Sequence, residues 1–365
     1  MKTILLGIAL LAALGAYGTN ANVARAQSVK TDGKATVVTM DTFIHADSTR
    51  AYLKELAKNG NKVNVVRPEK GLADTDSQDV IRMNQDTLYS RAIIDVKGGA
   101  TITAGEYEGY QNLMFLDINH SEIATLVGAG KVTLDESMLT EGQHVYLIIR
   151  TGLLRKLDEK EMYKKARDAQ ANITISAHSS EPFVPSVQYD FESLDTVKQA
   201  IFKDYAKDPS QYSTRLGFGK KQDRSEKDAR VVIAIGWGGL SKENASYSSF
   251  MGRGERETFT FTAPDLRYDD NGFFSFTLYT ADGYIGTQNY AVNSDDMQAN
   301  KDGSYTVTIL ASGEPVQEGD KNVIISPRDS RGWMGILRMY QPTDPDKNYD
   351  WNEATTKEMT KQFTR

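Results

Sequence analysis

Short segments in which apolar and polar residues alternate fill the second half of the 365-residue chain, and they restrict its fold more than any other feature. The alternation is clearest in FFSFTLYT, residues 273–280, and it returns in ETFTFTA, DGSYTVTIL and GWMGILRMYQP. Successive side chains of a β-strand point to opposite faces, so such segments suit strands with two different faces. Asp-Gly pairs next to these segments favour tight turns. The pattern predicts an antiparallel β-sandwich of the jelly-roll kind.

The first half mixes helix signals with apolar strands. DSTRAYLKELAKNG begins with Asp47, a residue suited to an N-cap, and ends at Gly60. LDEKEMYKKARDAQA begins with Asp158 and has Glu161 three residues later, which is typical of a capping box. The runs NLMFLDI and VYLIIRT indicate strands between these helices. We predict an α/β domain here and an α+β protein overall.

The boundary between the two patterns is the segment SAHSSEPFVPS, residues 176–186. It contains two prolines and four serines and shows no apolar period. Such composition is typical of connecting segments. We therefore predict an N-terminal domain over residues 27–185 and a C-terminal sandwich over residues 186–365. The second domain begins with a helix that starts near Ser193.

The first 26 residues have the pattern of a secretory signal peptide. Lys2 precedes an apolar run, and a tail of small residues ends in Ala24-Arg25-Ala26. The apolar run is shorter than the roughly 20 residues that a membrane-spanning helix needs. The sequence has no cysteine, which suits a bacterial periplasmic or secreted protein without disulfides. We expect cleavage after Ala26 and a soluble mature chain.

Charge and motifs exclude several classes of function. The net charge of −6 disfavours nucleic acid and anionic membrane surfaces as partners. The four histidines have no metal-binding spacing, and no serine-hydrolase, zinc-protease or phosphate-loop motif is present. We predict no metal and no cofactor. The oligomeric state stays open.

The segment RMNQDTLYS, residues 82–90, combines charged, amide and aromatic side chains just before an apolar strand. If residues 82–86 are extended, Arg82, Asn84 and Asp86 lie on one face. A polar row at the entry of a buried strand is one place where ligand pockets form. The alternative is a buried hydrogen-bond network that braces the strand. The residues alone favour the bracing network.

Two further segments contain candidate site residues. NLMFLDINH ends in His120, with Asp117 close by, and a histidine beside a carboxylate can act as a general acid or base. GWGG, residues 236–239, places Trp237 between glycines, where it would form the floor of a pocket. For each residue the commoner alternative is structural, namely a loop histidine for His120 and core packing for Trp237.

A family resemblance supports these candidates. IRMNQDTLYSRAIIDVKGGATIT, FLDINHSEIATLVGAG and LIIRTGLL resemble a family of unknown function numbered 1254. GWGGLSKENASY, FFSFTLYTADGYIGTQNYAVNSDD, KDGSYTVTI and WMGILRMYQP resemble a linked family numbered 1214. The resemblance implies an α/β domain followed by a β-sandwich, and it does not imply a reaction. The residues at its motif positions are Arg82, Asn84, Asp86, Tyr89, His120, Arg150, Trp237, Asp282, Asn289 and Arg338.

The leading hypothesis is an exported protein whose interdomain cleft binds, and in one version hydrolyses, a small polar or anionic molecule. Arg82 and Arg150 would hold negative charge, because guanidinium groups bind carboxylate or phosphate with two hydrogen bonds. His120 and Asp86 would transfer protons. The remaining residues predicted to contact the ligand are Asn84, Tyr89, Trp237, Asn289 and Arg338.

Two alternatives stay open. One is a non-catalytic protein of the cell envelope whose sandwich binds a protein or a glycan. The other is metal-assisted hydrolysis, with His120 and nearby acidic residues as ligands. Substitution of Arg82 and His120 would separate the cleft hypothesis from the first alternative, and elemental analysis would test the second.

Overall fold

The computed structural model describes residues 35–76, 78, 81–208, 211–253 and 256–364. The predicted signal peptide, residues 1–26, lies outside the described residues. Helices and mainly antiparallel sheets form the described part of the chain, which confirms the α+β class.

The helices occur in three parts of the chain, and most begin at a residue that can cap them. Asp158 accepts a hydrogen bond from the Glu161 amide at 3.1 Å, as the sequence predicted. In chain order the helices are α1 (Phe43–Lys58), α2 (Glu159–Ala171), α3 (Phe191–Tyr205), α4 (Thr214–Gly217), α5 (Glu226–Ile235) and α6 (Pro345–Phe363). Helix α1 therefore starts four residues before Asp47, the N-cap predicted from the sequence.

The strands fall into two groups, one before and one after the central helices. Those of the first half are β1 (Thr36–Val37), β2 (Arg67–Pro68), β3 (Thr87–Asp95), β4 (Ala100–Ala104), β5 (Gln111–Leu116), β6 (Glu122–Val127), β7 (Gly130–Leu134), β8 (His144–Gly152), β9 (Thr174–Ala177) and β10 (Tyr189–Asp190). Those of the second half are β11 (Ala245–Gly252), β12 (Glu257–Phe261), β13 (Phe273–Thr280), β14 (Ala291–Asn293), β15 (Tyr305–Leu310), β16 (Val323–Ile325) and β17 (Trp333–Tyr340).

In the first half, a five-stranded sheet in the order β2-β3-β8-β5-β6 packs on a three-stranded sheet in the order β7-β4-β9. All pairings within these two sheets are antiparallel. Strand β8 is buried along its whole length, so its sequence shows no alternation. One face of the five-stranded sheet covers the smaller sheet, and the other face contacts α1 and the second half of the chain.

In the second half, a four-stranded sheet in the order β11-β17-β13-β14 packs face to face with a three-stranded sheet in the order β12-β15-β16. The phenylalanines of the alternating segments, such as Phe274 and Phe276, point into the core between these sheets together with residues of α6. The pairings are antiparallel except β15 with β16. The alternation in the sequence therefore indicated the correct architecture.

The other face of the four-stranded sheet packs against the five-stranded sheet of the first half. The Tyr110 ring lies 5.3 Å from the Phe273 ring and 5.5 Å from the Tyr340 ring, measured between centroids. Buried residues from both halves form one apolar cluster at this junction. The junction is where most of the polar residues singled out in the sequence come together.

A glycine in the centre of strand β17 tests the packing of the second half. A Cβ atom on Gly335 would lie 2.2 Å from the ring of Phe250, its cross-strand partner, which is fully buried. We expect Gly335→Ala to lower the free energy of unfolding by about 1–3 kcal/mol, because the ring has to move within a filled core. Urea denaturation measures this change. Gly71→Ala is the control, since a Cβ there meets nothing within 4 Å. Equal stability of both variants would contradict the packing described.

Candidate functional site

The segment RMNQDTLYS turns before it enters its strand. Arg82 has a φ of +61°, residues 81–86 form turns and bends, and strand β3 begins only at Thr87. The Asn84 side-chain oxygen accepts hydrogen bonds from the Asp86 amide at 3.0 Å and the Thr87 amide at 3.2 Å. Asparagine commonly stabilises turns through such bonds. The prediction that residues 82–86 form an extended row is therefore wrong.

Backbone groups of this segment bind the four-stranded sheet of the other half. The Arg82 amide donates to the Gly283 carbonyl at 2.8 Å, and the Tyr279 hydroxyl donates to the Met83 carbonyl at 2.7 Å. Arg338 donates through Nη2 to the Arg82 carbonyl at 2.7 Å. These hydrogen bonds connect residues 196 to 256 positions apart in the chain, so the segment holds the two halves together.

Asp86 is buried between the same two halves. Its carboxylate accepts hydrogen bonds from Ser275 Oγ at 2.7 Å and from Asn293 Nδ2 at 2.9 Å. Ser275 and Asn293 stand next to Arg338 in one cross-strand row of the four-stranded sheet. Both donors are neutral, and Asp86 lies close to Arg338 without forming a direct ion pair among the described residues.

Arg150 occupies the corresponding position in the five-stranded sheet. On strand β8 it lies between Tyr89 of β3 and Asn112 of β5 in the cross-strand register. The side chain is 4% exposed, and its Nη2 donates to the Gly238 carbonyl. Its Nη1 has no hydrogen-bond partner among the described residues, and neither has the side-chain amide of the fully buried Asn112.

Arg338 is a second buried arginine whose guanidinium group has only some of its hydrogen bonds. It is 4% exposed, and Nη2 donates to the Arg82 carbonyl and the Tyr279 hydroxyl, each at 2.7 Å. Its Nη1 also lacks a partner within the part of the chain that the structure describes. Tyr247 stands beside Arg338 on strand β11, and its ring lies 6.4 Å from that of Tyr340.

Asn84 connects the polar rows of the two sheets. Its Nδ2 donates to the Tyr89 hydroxyl at 2.7 Å and reaches the Tyr340 hydroxyl at 3.5 Å. We call the whole group the arginine–tyrosine cluster. Its members are Arg82, Arg150, Arg338, Tyr89, Tyr110, Tyr247, Tyr279, Tyr340, Asn84, Asp86 and Asn112.

The arginine–tyrosine cluster contains more positive than negative charge. Its guanidinium groups cannot lose their protons, and Asp86 is its single carboxylate. Burial raises the pKa of the Tyr110 and Tyr247 hydroxyls, so these groups stay neutral donors. Glu122, a buried carboxyl at the edge of the cluster, accepts hydrogen bonds from Ser241, and burial raises its pKa. A buried excess of positive charge is unfavourable unless an anion compensates it.

His120 lies behind this cluster and is fully buried. Its Nε2 accepts a hydrogen bond from the Gly238 amide at 3.0 Å, and the Gly238 carbonyl accepts from Arg150. Burial, with a contribution from the charge of Arg224, lowers the pKa of His120 to about 3, so the imidazole is neutral. The structure therefore places His120 where it positions Gly238 and, through it, Arg150. Its described hydrogen bonds include none to Asp86.

The other predicted residues lie either beside the arginine–tyrosine cluster or at the surface. Trp237 packs edge-on against His120 at 5.2 Å and against Tyr146 at 4.8 Å, beside the cluster. Asn289 is exposed in a left-handed conformation, and its carbonyl accepts from the Ile325 amide. Asp282, at a motif position, forms a surface ion pair with Arg331. The structure thus brings together Arg82, Asn84, Asp86, Tyr89, Arg150 and Arg338, and it leaves Asn289 elsewhere.

Sequence reasoning predicted Tyr89 but missed Asn112 and four tyrosines, namely Tyr110, Tyr247, Tyr279 and Tyr340. Tyr340 belongs to one of the alternating segments, and the sequence did not indicate what covers the second face of its strand. Arg338 and Tyr340, two positions apart on β17, share this face, and that spacing was the available signal. Asn112 stands in an apolar strand where a lone amide suggests a buried polar site.

The described residues include neither a metal-binding group nor a membrane-spanning helix. They contain no group of three or more His, Cys, Asp or Glu side chains arranged to hold a metal ion. No helix in the described ranges has the length and apolar character needed to span a bilayer.

The low pKa of His120 predicts a specific loss of stability in acid. An unfolded histidine has a pKa of about 6.5, so between pH 6.5 and 3 the unfolded chain binds more protons and stability falls as pH falls. We expect His120 to account for about 2 kcal/mol of the stability lost between pH 7 and pH 5. Urea denaturation of His120→Gln at both pH values should show a smaller loss. His178→Gln, at an exposed histidine, should behave as wild type. Identical losses in all three proteins would contradict the burial of a neutral His120.

Comparisons with known proteins support the fold and give no reaction. Residues 251–344 match a family described as "Protein of unknown function (DUF1214)", which confirms the resemblance for this part of the chain. A Vibrio parahaemolyticus protein of known crystal structure is similar over 85% of this chain and 95% of its own, with 16% identity and a TM-score of 0.61. An uncharacterised Burkholderia cenocepacia protein matches over 89% and 90%, with 14% identity and a TM-score of 0.49. No curated protein matches the chain.

Proposed function

We propose that this protein binds a small anionic molecule at the junction of its two large sheets, with Arg150 and Arg338 as the main ligands. The observation that carries the proposal is that each of these buried guanidinium groups has an Nη1 without a partner among the described residues. A buried donor without an acceptor costs about 1–3 kcal/mol, and more when it is charged. One bound anion would satisfy both groups.

The surroundings of the two arginines suit carboxylate or phosphate oxygens. Guanidinium groups bind both kinds of oxygen through paired hydrogen bonds. The Tyr110 hydroxyl and the Asn112 amide also lack described partners, so they can donate to further oxygens of the same ligand. Asn84 would fix the Tyr89 hydroxyl at the edge of this site. These groups favour an anion with several oxygen atoms.

The proposal is for binding, and hydrolysis needs a proton-transfer group beside the ligand. Asp86 lies in the arginine–tyrosine cluster and meets this requirement. His120 is separated from the cluster by the Gly238 peptide group, and its role in this proposal is to position Arg150. Asp86 therefore becomes the first residue to substitute in any search for turnover.

We further propose that the chain is exported after cleavage at Ala26 and consists of two domains that divide near residue 185. The pattern of residues 1–26 supports export. The separate sheets of the two halves support the division. The motifs of residues 81–154 support a domain of the family numbered 1254 in the first half.

Substitution of each arginine by methionine tests the anion site. We expect thermal unfolding of the wild-type protein to shift upward with phosphate, succinate or phenyl phosphate, because a ligand of the folded state stabilises it. Arg150→Met and Arg338→Met should lose this shift. Each variant also loses the hydrogen bonds that the arginine donates to backbone carbonyl groups, so the anion response, and not the starting stability, is the test. Arg328→Met, at an exposed arginine, is the matched control.

Two results would contradict the proposal. One is the absence of any anion-dependent shift in the wild-type protein across a panel of carboxylates and phosphates. The other is loss of stability in both methionine variants with no change in anion response. The second result would support the competing prediction, a non-catalytic envelope protein in which the arginine–tyrosine cluster only holds the two halves together.

A further inference from the structure

A second candidate site lies in the first half, in an open cleft with a volume of about 300 Å³. It is bounded by α1, by the start of β8 and by the segment that follows β9. The lining residues that matter here are His45, Glu141, His144, Glu181, Phe183 and Val184. A volume of this size is at the lower end of the range for small-molecule pockets.

Polar side chains surround one carboxylate at the edge of this cleft. The Tyr189 hydroxyl contacts His45 Nδ1 at 3.0 Å, and His45 Nε2 lies 3.5 Å from Glu141. Ser186 Oγ donates to the same Glu141 oxygen at 3.0 Å. When Tyr189 donates to Nδ1, the imidazole proton is on Nε2, the ring nitrogen that lies 3.5 Å from the carboxylate. Glu141 is therefore oriented, while its side chain stays 45% exposed.

Glu141 and the nearby Glu181 differ in whether a basic side chain balances the carboxylate. Glu181 forms an ion pair with Lys97 at 2.7 Å, so its charge is balanced within the protein. No lysine or arginine of the described residues forms an ion pair with Glu141. Glu141 is thus a carboxylate of the cleft lining without a lysine or arginine partner among the described residues.

Part of the cleft lining is apolar. The Phe183 ring packs against the rings of Tyr52 at 5.1 Å and His144 at 5.5 Å. Val184, the next residue in the chain, also lines the cleft and is 60% exposed. A ligand that covers Val184 and Phe183 removes apolar surface from water and gains affinity.

We propose that this cleft binds a primary organic ammonium ion, with the ammonium group on Glu141 and an apolar body against Phe183 and Val184. The inference is independent of the anion site, because it involves different residues in a different part of the first half. The acidic edge and the apolar wall together define the ligand class. A hydrogen-bonded ion pair between ammonium and carboxylate is stronger than a contact between neutral groups.

Calorimetric titration of the full-length protein with phenethylammonium tests this site. The titration is run at pH 8, above the range in which imidazole side chains usually carry a proton. We expect binding of phenethylammonium and at least about tenfold weaker binding of the neutral alcohol 2-phenylethanol. Glu141→Gln should weaken the amine at least about tenfold and leave the alcohol unchanged. Glu318→Gln, at an exposed glutamate of the other half, should match wild type.

A second variant keeps the test decisive if Glu141→Gln fails to fold. Val184 is exposed, so Val184→Lys should fold normally, and its ammonium group should occupy Glu141 and abolish amine binding. Circular dichroism establishes that each variant is folded. The proposal is overturned if phenethylammonium does not bind the wild-type protein. It is also overturned if folded Val184→Lys binds the amine as tightly as wild type, or if the alcohol binds equally well.

Discussion

Burial of positive charge between two sheets is the constraint on which the arrangement of this molecule depends. Arg150 and Arg338 lie near the ends of inner strands of facing sheets, each 4% exposed, and each donates to acceptors from a distant segment. Removing such groups from water costs several kcal/mol unless they gain partners. Apolar side chains would join the two sheets without this cost. The arginines at this junction are therefore the basis of the proposed anion site.

The segment RMNQDTLYS supplies much of the compensation, and it acts both as scaffold and as wall of the candidate site. Its carbonyl at Arg82 accepts from Arg338, and Asn84 contacts a tyrosine from each sheet. Asp86 adds the one negative charge of the arginine–tyrosine cluster. Because the same residues join the halves and line the site, anion binding and the stability of the junction are expected to be coupled.

Patterns in the sequence predicted those strands and helix ends that are determined by residues close together in the chain. The alternation of FFSFTLYT gave the strand β13 and its core face, and Asp158 gave the start of α2. The turn at Asn84 was missed because it depends on one side chain that accepts hydrogen bonds from backbone amides two and three residues later. The state of His120 was missed because its burial comes from Phe218 and Trp237, about 100 residues later. The alternation predicted that these strands have two different faces, but it did not predict that the five-stranded sheet covers the second one.

The most direct test of the anion site is a crystal structure of the protein soaked in bromide, with anomalous scattering used to locate the ion. Bromide reports on anion sites without regard to the identity of the natural ligand. Our account predicts an ordered bromide within hydrogen-bond distance of Arg150 Nη1, Arg338 Nη1, or both. An ordered protein oxygen at each Nη1, with no bromide at the junction of the two sheets, would contradict it.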